Sequence, residues 1–297
     1  MQKAPAAAAA HGPGVSRFYD DNTQLFLALG QGTEGTIHRA VWGPGVGTRV
    51  QAMAYVDSLI LERVRELGIA GGTARLADLG CGVCSSLCRM AKLMPIRGVG
   101  VTISETQVRL AQQRIDEAGL EGVVECRRAD FCALPSDLGP VDLAFSIEAF
   151  VHAPSAADYF RECARLVRPG GYLIVCDDFL SEAALRSTRP SSAWIERFRR
   201  GWVAPNALSE DETRTLAGDA GFVHVDTLDL TPYLEMRRPR DYAAGALMRC
   251  FGWLPVSGSY WLMLYGGHAL QLCLKRGWIK HLFTVWRREP LAGGRGA

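Results

Sequence analysis

Residues 74–86 read Ala-Arg-Leu-Ala-Asp-Leu-Gly-Cys-Gly-Val-Cys-Ser-Ser, and no other stretch constrains the fold of this chain as tightly. A short apolar run ends at Asp78, turns over Gly80 and Gly82, and passes into a helix-like segment from Ser85. A strand that turns over small residues into a helix lets a ligand approach the backbone closely, just above the helix N-terminus. Such crevices bind nucleotide-like ligands at the carboxyl edge of a parallel sheet.

The sequence on either side alternates in the same rhythm. Apolar runs predict strands over residues 75–79, 98–103, 123–127, 141–147 and 172–177, with helices over 85–94, 105–118 and 156–166 between them. Ser104 with Gln107 makes a capping-box start for the second helix. Arg168-Pro169-Gly170-Gly171 reads as a turn into the fifth strand. A further helix spans 208–220, with Ser209 as N-cap and Glu212 at the third position, and strands follow over 222–230 and 281–286. This pattern predicts an α/β fold, a doubly wound Rossmann-like seven-stranded sheet with right-handed crossovers.

Other segments decorate that core. Residues 1–16 read as a disordered tail: the Ala6–Ala10 run is a weak secretory core, and Lys3 is its whole charged flank. Residues 17–70 form an N-terminal lid, rich in aromatics and glycine, and an amphipathic helix carrying Met53, Val56, Leu59, Ile60, Val64 and Leu67. Residues 71–232 form the cofactor-binding core. The stretch 233–280, rich in Trp, Tyr, Leu and Met, is longer than connections usually run and predicts a helical insertion covering the substrate. Residues 281–297 supply the last strand and tail.

Composition excludes some classes. A net charge of +2, from 33 basic and 31 acidic residues, gives no electrostatic reason to expect nucleic acid. Arg237-Arg238-Pro239-Arg240 and Arg287-Arg288 read as solvated surface. Nine cysteines without the spacing of a disulfide scaffold fit a reducing cytoplasm. Cys81 and Cys84 form a C-x-x-C with Cys88 nearby, but no second such pair or matching His pair occurs. They read as small residues beside a ligand, and no metal is expected. The most apolar stretch, 261–274, is broken by Gly266, Gly267, His268 and Gln271, so no transmembrane segment is expected. A peripheral membrane contact there, and a homo-oligomer, stay open.

The position of the acid favours one nucleotide class. A dehydrogenase pairs G-x-G-x-x-G with a carboxylate ending the second strand. Here Asp78 precedes the glycines, and the second strand ends Val101-Thr102-Ile103-Ser104 with no carboxylate. An acid before the turn would repel a pyrophosphate but suits an ammonium group, such as the amino-acid end of S-adenosylmethionine.

Asp78-Leu-Gly80-Cys-Gly82 resembles motif I of the class I methyltransferases. Gly100-Val-Thr102-Ile-Ser104-x-x-Gln107 is similar to the second motif of the sterol, tocopherol and cyclopropane-fatty-acid methyltransferase group, where Thr and Gln replace the usual ribose-binding acid. Residues 146–154, Ser-Ile-Glu-Ala-Phe-Val-His-Ala-Pro, and Phe18-Tyr19-Asp20 with Thr23, Phe26, Gly30, Gly32 and His38 resemble further segments of that group. The resemblance covers residues 17–180 and fades in the last third. It implies an antiparallel last strand and S-adenosylmethionine as cofactor. It places Asp78, Gly80, Cys81 and Gly82 around the methionine part, and Thr102, Ile103 and Gln107 at the ribose. Asp130 would accept from the adenine amino group with Phe131 near the ring, Ile147 would sit at the mouth of the fourth strand, and Tyr19 would close the pocket. Cys84 departs from the pattern, standing where many members have a third glycine.

Methyl transfer from a sulfonium is an in-line displacement, so the protein chiefly aligns the nucleophile and excludes water. An oxygen or nitrogen nucleophile requires a base. An alkene does not, but its attack leaves a carbocation that aromatic faces and a carboxylate stabilise until a base removes a proton. Glu148 and His152 are candidates for base or cation stabiliser. Glu148 reads equally as a hydrogen-bond partner of cofactor or backbone, and His152 as a loop-ordering residue. His38 is a third candidate, either a lid residue holding Glu148 or substrate, or a turn-stabilising histidine. Trp42, Tyr233 and Trp253, with Trp202, Tyr260 and Trp261, read as an apolar substrate chamber or as core. Phe179 is assigned to the substrate with them, and Glu235 is a secondary candidate base.

The expected activity is methylation of a bulky, apolar small molecule, by carbon methylation of an isoprenoid or related natural product through a carbocation. The alternatives are oxygen or nitrogen methylation of a specialised metabolite, a nucleotide-binding regulatory protein and a dehydrogenase.

Overall fold

The computed structural model describes residues 13–28, 36–68, 72–186, 189–236, 245–246 and 259–290. In chain order its elements are α1 (Pro13–Ala28), α2 (Arg49–Glu66), β1 (Ala74–Leu79), α3 (Ser85–Leu93), β2 (Ile96–Thr102), α4 (Glu105–Glu117), β3 (Val124–Arg128) and β4 (Val141–Ile147). There follow α5 (Ala156–Leu166), β5 (Val167–Leu180), α6 (Glu182–Leu185), α7 (Arg189–Trp202), α8 (Glu210–Asp219) and β6 (Phe222–Asp229). The last two are α9 (Ser259–Lys275) and β7 (Ile279–Arg288).

The strands form one seven-stranded sheet in the order β3-β2-β1-β4-β5-β7-β6. β1 pairs in parallel with β2 and β4, while β7 runs antiparallel between β5 and β6. This is the doubly wound sheet with an antiparallel last strand that the sequence implies. The order reverses between β1 and β4, and a ligand crevice opens at such a switch point, beyond the strand carboxyl ends.

The two sheet faces bury separate cores. Ile174 and Cys176 of β5 pack with Val56, Ile60, Leu76 and Leu87 on one face. Leu173, Val175 and Phe179 pack with Tyr159, Phe160 and Trp286 on the other. Period-two alternation along β5 sets the division.

Local chemistry accounts for the element ends. Thr48 with Gln51, and Ser209 with Glu212, form complete capping boxes at α2 and α8. At α4 the expected box is only half made. Ser104 Oγ accepts from the Gln107 N–H at 3.1 Å, but the Gln107 side chain binds Thr102 and Thr23 instead. Arg168-Pro169-Gly170-Gly171, expected as a turn, lies inside β5 as a ladder irregularity. Gly170 takes φ +76° there, and the register shifts between Val141 and Leu143. Pro13, Gly14, Val15 and Ser16, placed in the tail by sequence, begin α1.

The insertion between β6 and β7 contains α9, but it does not act alone. α9 packs on α7, from the segment after β5 that sequence reading left unassigned. Trp194, Ile195, Phe198 and Trp202 recur there at helical spacing. The helices cross at Gly201 and Gly266: a Cβ on Gly266 would lie 2.5 Å from Trp202 Cδ1 and 2.7 Å from the Gly201 carbonyl carbon.

Gly266→Ala is therefore expected to destabilise the fold by ~2 kcal/mol through overpacking, lowering the thermal midpoint by roughly 4–8 °C. Gly218→Ala, at a helical position with open space around it, should leave the midpoint unchanged or raise it. Calorimetric melting of both variants checks the pair.

Candidate functional site

One cavity of about 810 Å³ opens at the carboxyl ends of β1, β2, β4 and β5. At its β1 end Gly80 turns with φ +95°, and a Cβ there would lie 2.3 Å from the Ala149 side chain, so glycine is required. The Gly80 and Cys81 N–H groups both donate to the Val101 carbonyl, at 2.8 and 3.0 Å. Gly82 follows with φ +54°, and Ser85 and Ser86 at the start of α3 reach the wall.

Asp78 stands on this wall only 4% exposed, and among the described residues nothing donates to its carboxylate. Burial, then the charges of Asp57 and Cys126, push its pKa well above the usual carboxylate range. A buried carboxylate without a donor calls for a cationic hydrogen-bond partner. The ammonium of S-adenosylmethionine fits that requirement, and the space beside Gly80 fits a close backbone approach.

The end of β2 is tied to α1. Thr102 Oγ1 donates to Gln107 Oε1 at 2.6 Å, Gln107 Nε2 donates to Thr23 Oγ1 at 3.3 Å, and Thr23 donates to the Tyr19 carbonyl at 2.5 Å. Asp20 Oδ1 accepts from Ser104 Oγ at 2.5 Å and from the Thr106 N–H at 3.3 Å, anchoring α1 on the first turn of α4. Tyr19 is thereby held at the cavity, with Ile103, Phe131 and Ile147 also on the wall. Asp130 is not on it: its Oδ1 accepts from the Cys132 N–H at 2.7 Å, which braces the loop carrying Phe131.

At the centre, Glu148 ends β4 in the left-handed region with φ +51°, a costly state for a side-chain-bearing residue. Its Oε1 accepts from both the backbone N–H and Nε of Arg39, at 2.9 and 3.0 Å. Arg39 Nη2 donates to Asp178 Oδ1 at 2.7 Å. Burial raises the proton affinity of both carboxyls, but Arg39 and the neighbouring histidines outweigh it and hold both pKa values below normal. Asp177, which accepts from the Val151 and Asp178 N–H groups, lacks such a cation, and burial with the Asp178 charge drives its pKa well upward.

The two candidate histidines differ in kind. His152 Nδ1 lies 3.0 Å from the Val203 carbonyl, which can only accept, so Nε2 takes the hydrogen bond from the Tyr19 hydroxyl at 2.8 Å. Both ring nitrogens are engaged. His38 Nδ1 lies 3.1 Å from the Arg39 carbonyl, and its buried Nε2, on a ring at the cavity wall, has no partner among the described residues. In the neutral ring that nitrogen is a lone pair.

Beyond Glu148 the wall becomes apolar, with Phe198 and Trp202 from α7, Leu234 and Met236 after β6, and Met263, Leu270 and Leu274 from α9. His268 and Gln271 bring polar atoms to this chamber one helical turn apart. Glu235 stands at its rim, paired with Arg49 at 3.1 Å and about a third exposed. Three aromatic assignments need correction. Phe179 lies in the core on the other sheet face, stacked with Phe150. Trp42 packs against Ala40, Ala52 and Met53, and its backbone N–H donates to the Tyr233 carbonyl at 2.8 Å. That bond, beside the bridge between Val41 and Leu234, makes Trp42 and Tyr233 a brace outside the cavity wall. Trp253 lies outside the described residues. Sequence reasoning missed Arg39, Asp177, Asp178, Phe198, His268 and Gln271. Arg39 follows His38 directly, and the two aspartates lie near the end of β5, the local signals that point to them.

Residues 77–175 match the methyltransferase domain family. Over 170 residues the chain is 34% identical to the 24-methylenesterol C-methyltransferase 2 of Oryza sativa, covering 57% of this chain and 47%, about half, of that enzyme. It is 26% identical to the O-methyltransferase rstn1 of Aspergillus nomiae, covering 73% of this chain and 92% of that enzyme. Its fold matches the geranyl diphosphate C-methyltransferase of Streptomyces coelicolor with a TM-score of 0.68 at 20% identity, covering 96% and 100% of the two chains.

Because the free protein holds the Asp78 carboxyl at raised pKa and an ammonium partner would lower it, ligand affinity should increase with pH until the free carboxyl is ionised, then level off. Calorimetry with S-adenosylmethionine in buffers of different ionisation enthalpy should show a proton released at the low-pH end. Asp78→Asn should abolish that release and weaken binding by about 10–100-fold, the worth of a charged hydrogen bond.

Proposed function

Since this chain belongs to the class I S-adenosylmethionine-dependent methyltransferases, in the group of the sterol enzymes, we propose that it methylates a bulky, largely apolar small molecule at an alkene carbon. The isoprenoids and related natural products are the substrate class. The observation that carries this reading is the pairing of an apolar chamber with Glu148, a carboxylate kept ionised at the junction with the donor pocket.

S-adenosylmethionine supplies an electrophilic methyl group and departs as a thioether. The protein's part begins with α7 and α9, whose apolar side chains desolvate the acceptor and align its double bond. As the π electrons form the new carbon–carbon bond, positive charge moves onto the substrate. Arg39 carries one positive charge against two negative charges on Glu148 and Asp178, and that excess of carboxylate over guanidinium favours the cation where it forms. The His38 Nε2 lone pair then takes a proton from the neighbouring carbon, and the C–H electrons restore a double bond. His152, engaged at both nitrogens, acts as a positioning residue holding Tyr19.

Oxygen methylation is the second reading, and one observation favours it: the Aspergillus O-methyltransferase is matched over nearly its whole length, whereas the rice sterol enzyme is matched over half. In that case His38 Nε2 would remove a hydroxyl proton instead.

The hydrogen balance separates the two. With a panel of hydroxyl-bearing terpenoid alkenes deuterated at the allylic and vinylic carbons, carbon methylation should release one deuteron per methyl gained, counted by mass spectrometry. A methylated product retaining every deuteron would establish the oxygen reading. Glu148→Gln keeps the shape and removes the charge. It should lower kcat by about 10²–10³-fold, with donor affinity little changed.

A further inference from the structure

We propose that Cys81, Cys84 and Cys126 form a binding site for one soft, thiophilic metal ion in three-coordinate thiolate geometry, with copper(I) the ion that suits it best. Cys81 belongs to the glycine turn after β1, Cys84 caps α3, and Cys126 lies on β3. Their three sulfurs all fall within 4.8 Å of one another. The Cys81 and Cys126 sulfurs are 3.8 Å apart. With metal–sulfur bonds of ~2.3 Å, a trigonal site places its sulfurs ~4 Å apart, so the observed spacing needs little adjustment.

The surroundings make room for this grouping. A Cβ on Gly100 of β2 would lie 2.5 Å from the Cys84 sulfur and 2.7 Å from the Cys81 sulfur, so the thiols occupy the space a side chain would fill. Cys84 holds φ 57° at the head of α3, where glycine would sit without strain.

Among the described residues no other His, Cys, Asp or Glu joins the group. Cys88, one turn along α3, is outside it. Three soft ligands and no fourth match copper(I) better than tetrahedral zinc. A disulfide needs sulfurs ~2.05 Å apart and would use only two of the three. On binding, each coordinating thiol gives up its proton to solvent, and the copper stays monovalent. The ion would tie the turn on β1 to β3, next to Asp78, and so brace the loop that shapes the donor pocket.

The test uses the full chain, reduced and anaerobic, titrated with copper(I) against a chromophoric copper(I) chelator, with zinc(II) in parallel. Wild type should retain one copper per chain, show three sulfur neighbours at ~2.3 Å by X-ray absorption, and melt higher when loaded. Cys126→Ser and Cys126→Ala, confirmed folded by circular dichroism, should lose retention at least tenfold together with the melting shift, whereas Cys88→Ser should keep both. The proposal is overturned if the chelator strips wild type completely, if the Cys126 variants retain copper as wild type does, or if absorption shows two sulfurs. It is equally overturned if zinc(II) is held and copper(I) is not, or if peroxide yields a Cys81–Cys126 disulfide in a protein that never retains copper.

Discussion

One guanidinium holds two carboxylates at the edge of the sheet, and the site exists because of it. Glu148 directly follows β4 and Asp178 lies near the end of the adjacent parallel β5, which brings two anions together where water is scarce. Left alone, one of them would bind a proton, as Asp177 illustrates beside them. Arg39 arrives from the segment between α1 and α2 and makes charge-assisted hydrogen bonds to both. That segment is therefore an electrostatic component of the site. Among these three side chains one positive charge stands against two negative ones, with the His281 ring beside Asp178 at 3.2 Å, and that excess suits the cations of the proposed reaction.

The donor pocket follows a different rule, set by shape more than by charge. Gly80 lies so close to Ala149 that no side chain fits between β1 and β4. Both backbone N–H groups of the turn are spent on Val101, so the turn is rigid before any ligand arrives. Asp78 is a buried carboxylate there left without a donor among the described residues. A rigid cradle with a single unmet charge is a selective arrangement, since a ligand lacking a cation at that point leaves the carboxylate desolvated and unpaired.

What the sequence revealed, and what it concealed, follows from the distance over which each feature is encoded. The strand–turn–helix at Asp78, the alternation of strands and helices and the caps at Ser104 and Ser209 are local, and local patterns are legible. The Arg39 clamp joins residues 109 and 139 positions apart, so adjacency to His38 marks Arg39 as near the site without disclosing its partners. Cys126 is likewise remote from the C-x-x-C that it completes. Phe179 shows how parity misleads when only proximity to a strand end is weighed. It shares its sheet face with Leu173 and Val175, whereas Asp178 faces Arg39. Helix α7 was legible in principle from Trp194, Ile195, Phe198 and Trp202, but its partner α9 lies in a distant insertion, and only the pair makes a chamber.

That chamber is linked to the donor pocket through one imidazole. Val203, just beyond α7, takes φ 50°, a strained state for a β-branched residue. Its carbonyl accepts from His152, whose other nitrogen accepts from Tyr19 on α1. A displacement of α7 by a substrate must therefore be transmitted to the helix that covers the donor, or break one of two hydrogen bonds. Under the proposed reaction this link couples acceptor fit to donor position, which is what an in-line displacement requires: its two reactants must be aligned and dry at the same moment.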